Sequence, residues 1–149
     1  MKVVIALGAN LGDPKRQLAL AIDSLRDHVT IEKISSFYET EPFDVPDQQP
    51  TYINAVLLGE TELKPGDLMK ELLKIESSLG RQRAFTNAAR TIDLDIIDYG
   101  GYFLESNELV LPHPRAHLRR FVLEPWLEID SEALLPGKGL VRELLASLN

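Results

Sequence analysis

The chain has 149 residues, 44% of them hydrophobic and 26% charged, with no cysteine and a formal net charge of -7. This length suits one domain, residues 1–149, with a core of its own, and the composition is that of an ordinary globular protein. The lack of cysteine excludes disulfides and thiolate metal sites, the acidic balance argues against a general nucleic-acid binder, and the apolar N-terminal run is too short to span a membrane. A cytoplasmic monomer acting on small molecules, without nucleic-acid or membrane partners, is expected. In chain order, the apolar run at 3–7 predicts a central strand. Residues 8–14 read as a loop in which Asp13 caps a helix and Pro14 takes its first position. Leu18, Ala21, Ile22 and Leu25 then recur at helical spacing. No Gly-Lys-Ser/Thr follows the glycines, which excludes a Walker-type phosphate loop and leaves turn chemistry.

A second strand is expected over 31–38, and three prolines make 41–50 an irregular segment of the kind that serves as a lid. Residues 52–58 predict a strand with Asn54 as its odd polar member. Pro65 opens a helix carrying Leu68, Leu72, Leu73, Ile75 and Glu76, and Gly80 ends it. After an irregular 81–89, the stretch Arg90-Thr91-Ile92-Asp93-Leu94-Asp95-Ile96-Ile97-Asp98 alternates acidic and apolar residues and predicts a strand. Asp93 and Asp95 then share one face, roughly 7 Å apart, while Ile92, Leu94 and Ile96 face a core. Two readings stand for the pair: the solvated face of an amphipathic strand, or carboxylates held together by a divalent cation such as magnesium. Arg81, Arg83, Arg90, Arg115, Arg119 and Arg120 surround the pair with His113 and His117, and no lysine lies between Arg81 and Arg120. An arginine cluster around two carboxylates points to a polyphosphate held with its metal.

Tyr99-Gly100-Gly101-Tyr102 predicts a hairpin turn, followed by strand-like 103–104 and 109–111, a loop at 112–120, a helix over 121–129 and a short helix over 141–148. The order strand, helix, strand, strand, helix, strand is that of an α+β, ferredoxin-like sandwich with a mostly antiparallel sheet and a C-terminal extension. Tyr52 and Phe121 are core aromatics or a sandwich for a flat heterocycle. Asn54 caps a turn or reads a ring's donor and acceptor edge. His113, between two prolines, is structural or a donor to a transferring phosphate oxygen.

The stretch Arg90-Thr91-Ile92-Asp93-Leu94-Asp95-Ile96-Ile97 resembles the signature of the 6-hydroxymethyl-7,8-dihydropterin pyrophosphokinases of folate biosynthesis. Ala6-Leu7-Gly8-Ala9-Asn10-Leu11-Gly12, Ser36-Phe37-Tyr38-Glu39-Thr40-Glu41-Pro42, Tyr52-Ile53-Asn54-Ala55, and Leu111-Pro112-His113-Pro114-Arg115 with Arg119-Arg120-Phe121-Val122-Leu123 are similar to the same family in the same order. The resemblance implies pyrophosphate transfer from ATP to the pterin's hydroxymethyl group, with AMP released. It implies two magnesium ions on Asp93 and Asp95, and phosphate contacts from Arg81, Arg83, Arg90, His113 and Arg119, with Arg81 and Arg90 acting in catalysis. Glu76 and Ile96 would lie on the nucleotide's side. Tyr52 and Phe121 would stack on the pterin, Asn54 would bond to it, and the backbone of Thr40, Pro42 and Phe43 would read its edge.

The chain departs from the family pattern at Ala89, where a proline usually precedes the motif arginine, and at Pro114, where some members carry an aromatic. It also lacks a loop tryptophan, which leaves Phe85 as bulky cover. No obligatory general base is expected. Two other readings of an Asp-x-Asp strand are a magnesium-dependent nucleotidyl or glycosyl transferase and a non-catalytic ferredoxin-like binding module.

Overall fold

The computed structural model describes residues 1–10, 12–40, 52–80 and 92–148. The first half runs β1 (Lys2–Ala9), α1 (Pro14–Leu25), β2 (Thr30–Ile34), β3 (Tyr38–Thr40), β4 (Tyr52–Glu60), α2 (Pro65–Gly80) and β5 (Asp93–Tyr99). The rest comprises β6 (Leu104–Glu105), β7 (Val110–Leu111), a 3-10 turn at Ala116–Leu118, α3 (Arg120–Ile129), β8 (Leu134–Leu135), β9 (Gly139–Leu140) and α4 (Val141–Ala146). The main sheet has the order β2-β4-β1-β5, with β3 also paired to β4, and every pairing is antiparallel. Two helices entering between non-neighbouring strands make this the expected ferredoxin-like sandwich.

Period-2 alternation sends side chains to two cores. On one face Val3, Ile5 and Leu7 of β1, with Leu94 and Ile96 of β5, pack under Leu18, Ile22 and Leu25 of α1 and Leu68, Leu72 and Ile75 of α2. On the other face Val4, Ala6, Val56 and Ile97 meet Val122, Leu123 and Trp126 of α3 and the C-terminal residues Leu135 and Val141. Trp126 is 2% exposed, and burying a ring of that size contributes about 3 kcal/mol or more. The register of β5 on β1 shifts between Val4 and Ile5. Alternation puts Ile97 in the second core directly after Ile96 in the first, and the bulge returns Tyr99, opposite Val3, to the first core.

Several expectations change. β1 continues through Gly8 and Ala9, where a loop was expected, because both residues remain in register with Asn54 and Ile53. The strand expected over 31–38 is two strands. At the break, the backbone of Ser35 donates to Val56 O while its Oγ accepts the Val56 N–H, each at 2.9 Å, so a side chain replaces one rung of the ladder. Leu73 is 46% exposed, and Leu79 takes its place in the core. The motif strand begins at Asp93 among the described residues, with buried Ile92 before it. Gly100 and Gly101 turn with φ of 57° and 77°. The chain leaving that turn does not return along β5, however, since β6 pairs with β7. The β8–β9 hairpin was not expected, and the last helix ends at Ala146 rather than near 148.

Candidate active site

β1 carries its smallest residues on the face opposite α1 and α2. Ala6 pairs with Val56 and Asp95, and Gly8 pairs with Asn54 and Asp93. The face therefore bears two rows, Asn54–Gly8–Asp93 and Val56–Ala6–Asp95, with little bulk in the middle strand. α3 covers this face at Val4, Ala6 and Val56. It leaves the Gly8 end open, and the start of α3 overhangs it with Arg119, Arg120 and Phe121. The result is a cavity of about 780 Å³ whose lining includes Gly8, Thr40, Tyr52, Asn54, Asp93, Asp95, Arg119 and Phe121. Seven residues expected at a site from sequence thus meet in one space.

Within it, Asn54 Nδ2 donates to Thr40 Oγ1 at 2.9 Å. The Arg119 guanidinium stands 5.5 Å from the centre of the half-exposed Phe121 ring, a contact worth about 0.5–1 kcal/mol at an exposed position. Arg120 and Glu124, also in the lining, form an i,i+4 pair at 3.8 Å.

Asp95 borders a second cavity of about 240 Å³, lined also by Met69, Ile96, Glu108, Val110, His113 and Pro114. His113 is pinned by its backbone N–H to Ile97 O at 2.9 Å, and its Nδ1 accepts the Arg115 N–H at 3.1 Å. Burial lowers the His113 pKa, opposed by the Asp95 charge and reinforced by Arg119 and Arg115. The imidazole is therefore neutral near pH 7, with its proton on Nε2 as a hydrogen-bond donor. Ile96 keeps its side chain in the helix-side core, 2% exposed, and only borders this second cavity.

Glu76 lines neither cavity. Its Oε2 accepts the N–H of Leu94 at 2.7 Å, which ties α2 to the edge strand between the two aspartates. Pro42, Phe43, Arg81, Arg83 and Arg90, with Phe85 and Ala89, lie outside the described residues. Among the described residues no group of three or more His, Cys, Asp or Glu side chains could hold a metal. A bare carboxylate pair still fits magnesium, which keeps waters and takes one or two carboxylates together with substrate phosphates rather than a full protein cage. Also among the described residues, no helix is long and apolar enough to cross a membrane.

The family model of 7,8-dihydro-6-hydroxymethylpterin-pyrophosphokinase matches residues 4–131. The chain belongs to that family. A relative named 2-amino-4-hydroxy-6-hydroxymethyldihydropteridine pyrophosphokinase from Haemophilus influenzae is 41% identical over 143 residues, covering 95% of this chain and 89% of the relative. One of the same name from Bacillus subtilis is 41% identical over 127 residues, covering 84% and 75%. The crystal structure of wild-type Plasmodium falciparum HPPK-DHPS superposes with a TM-score of 0.76 at 14% identity, over 98% of this chain and 40% of that one. At that identity the likeness speaks for the fold, and the pyrophosphokinase-family chain spans less than half of that longer protein.

Sequence reasoning missed Gly8 and Ala6 as the floor of this family member's site. Gly8 sits in a glycine-bearing segment that reads locally as a turn, and only the β1–β4 and β1–β5 registers give it a place between Asn54 and Asp93. Leu148 and Glu124, also in the lining, carry no local signal, because helix packing alone brings them there.

Proposed function

We propose that the chain, acting as one domain over 1–149, transfers pyrophosphate from ATP to the hydroxymethyl group of 6-hydroxymethyl-7,8-dihydropterin and releases AMP in folate biosynthesis. The observation that carries this reading is the position of Asp95. Its carboxylate fronts both the Asn54, Tyr52 and Phe121 cavity and the His113 cavity, so one metal-binding edge serves two substrates.

The pterin lies in the larger cavity between Tyr52 and Phe121, with Asn54 and the backbone of Thr40, Pro42 and Phe43 on its polar edge. The nucleotide lies toward the smaller cavity, beside Ile96 and with Glu76 on its ribose or base side. Arg81, Arg83, Arg90 and Arg119 take phosphate oxygens, since guanidinium forks match them two at a time. Asp93 and Asp95 hold two magnesium ions, which when bound offset the charge of the triphosphate.

The hydroxymethyl oxygen forms a bond to the β-phosphorus as the bond from that phosphorus to the α-phosphate oxygen breaks, and the electron pair leaves with AMP. Neutral His113 donates from Nε2 to a phosphate oxygen as charge grows there. The hydroxyl proton leaves to solvent, and no side chain is required as an obligatory base. Catalysis is then positioning plus electrostatics. A monomer in a reducing cytoplasm, with no nucleic-acid or membrane partner, is the setting that an acidic, cysteine-free chain suits.

The test is AMP formation from ATP and magnesium, with and without the dihydropterin, for the parent chain and Asp95→Ala. Pterin-dependent AMP that collapses in the variant supports the reading. Binding of a sugar or nucleotide acceptor in place of the pterin would overturn it.

A further inference from the structure

Gly8 stands at the centre of the row Asn54–Gly8–Asp93. Its backbone is ordinary strand and not one of the positive-φ glycines, so conformational freedom is not what glycine supplies there. It supplies space. A Cβ built at Gly8 would lie 2.8 Å from Asn54 Oδ1, well inside van der Waals contact. Asn54 is 5% exposed, and its Nδ2 donates to Thr40 Oγ1 at 2.9 Å. The amide is thus held from two directions: the threonine hydroxyl takes one N–H, and the bare glycine leaves room for the oxygen. What remains is one acceptor and one donor side by side at the cavity wall, the pattern that pairs with a heterocycle edge.

We infer that Gly8 and the Thr40 hydroxyl together set the orientation of the Asn54 amide, so that Gly8 determines specificity for the pterin ring and Thr40 is a positioning residue. This rests on the proposed reading of Asn54 as a pterin contact. Gly59 provides the contrast. There a Cβ would meet Val29 Cγ1 at 2.5 Å and the backbone oxygen of Thr30 at 2.7 Å, and backbone cannot yield. At Gly8 the obstructing atom is the tip of a side chain, so the strand stays and the amide turns. The loss therefore falls on recognition and leaves the fold intact.

The test measures affinity for 6-hydroxymethyl-7,8-dihydropterin through its own fluorescence, affinity for ATP with magnesium, and melting temperature. The chains compared are the parent, Gly8→Ala, Asn54→Ala and their double variant. Each single change should weaken the pterin by about tenfold or more, the order of one hydrogen bond lost. ATP affinity should stay within about twofold, and in the Asn54→Ala background Gly8→Ala should add less than about twofold, as coupled neighbours do. Thr40→Val should weaken the pterin and Thr40→Ser should restore it. Full pterin affinity in Gly8→Ala, losses that multiply in the double variant, or a Gly8→Ala chain that does not fold would each overturn the inference. A parent that binds no pterin would overturn the functional reading and the inference together. Full pterin affinity in Asn54→Ala would remove the inference and leave the reaction standing.

Discussion

Asp95 and Asp93 differ in what they face, although both lie on the same side of β5. Among the described residues, Asp95 lines both of these cavities and Asp93 lines the larger of the two. Asp95→Asn should therefore lower pterin-dependent AMP formation by about 10³-fold or more, because the variant loses charge where the phosphates of ATP would meet the hydroxymethyl group of the pterin. Arg119 reaches toward that region from the start of α3 while resting over Phe121. Arg119→Ala should cost about 2–4 kcal/mol of transition-state stabilisation, read as a fall in kcat/KM. Arg119→Lys should recover only part of it, because an ammonium lacks the planar fork. Equal kcat/KM in Arg119→Ala and the parent would remove this side chain from the phosphate site.

At the scale of elements, one carboxylate joins α3 to the link between β2 and β3. Glu128 accepts from Ser36 N at 3.0 Å, Ser36 Oγ at 2.8 Å and Tyr38 Oη at 2.7 Å. The Tyr38 hydrogen bond, with Ser36 in support, lowers the Glu128 pKa. Burial, then the bond to Glu128, pushes Tyr38 from 10.0 up to about 12. The signs oppose each other. A lowered carboxylate gives stability that is present above its ordinary pKa and lost as pH falls through the lowered one, while a raised phenol loses its share as pH rises from 10 toward about 12. Glu128→Gln should flatten both limbs of a stability-against-pH curve and cost about 1 kcal/mol at neutral pH, modest because the carboxylate is exposed. Denaturant melts at several pH values would show this, and an unchanged acid limb would refute it. Gly59→Ala lies in the same β4 but should cost about 1–3 kcal/mol in stability, since the added carbon meets backbone. The same melts at neutral pH measure it.

For the whole molecule, the site exists because one sheet face is only partly covered. α1 and α2 pack on the other face, while α3 and the C-terminal segment cover this one around Val4, Ala6, Val56 and Ile97 and leave the Gly8 half open to the cavity. A ligand that fills the open half binds the folded state alone. ATP with magnesium at about 100 times its Kd should raise the unfolding free energy by about 2.7 kcal/mol. A thermal melt should register that increase, and excess EDTA should remove most of it if the carboxylate pair acts through the metal. A shift of the same size with and without EDTA would count against a metal on Asp93 and Asp95.

Local chemistry made much of this legible in the sequence. Asp13 and Pro14 mark the start of α1, as their cap geometry predicts. Alternation along 92–96 separates the aspartates from Leu94 and Ile96, because a strand's two-residue period is written into its side chains. Asn54, Tyr52, Thr40, Arg119, Phe121 and His113 could be named from ordered motifs alone. Tertiary structure decided what depends on register and coverage. It moved Gly8 from an expected turn to the floor between Asn54 and Asp93, cut one expected strand at Ser35, turned Leu73 outward, and tied Glu76 to the Leu94 N–H. None of these has a local signature, because each depends on which residue of a distant strand or helix lies opposite, and chain order alone does not specify that pairing.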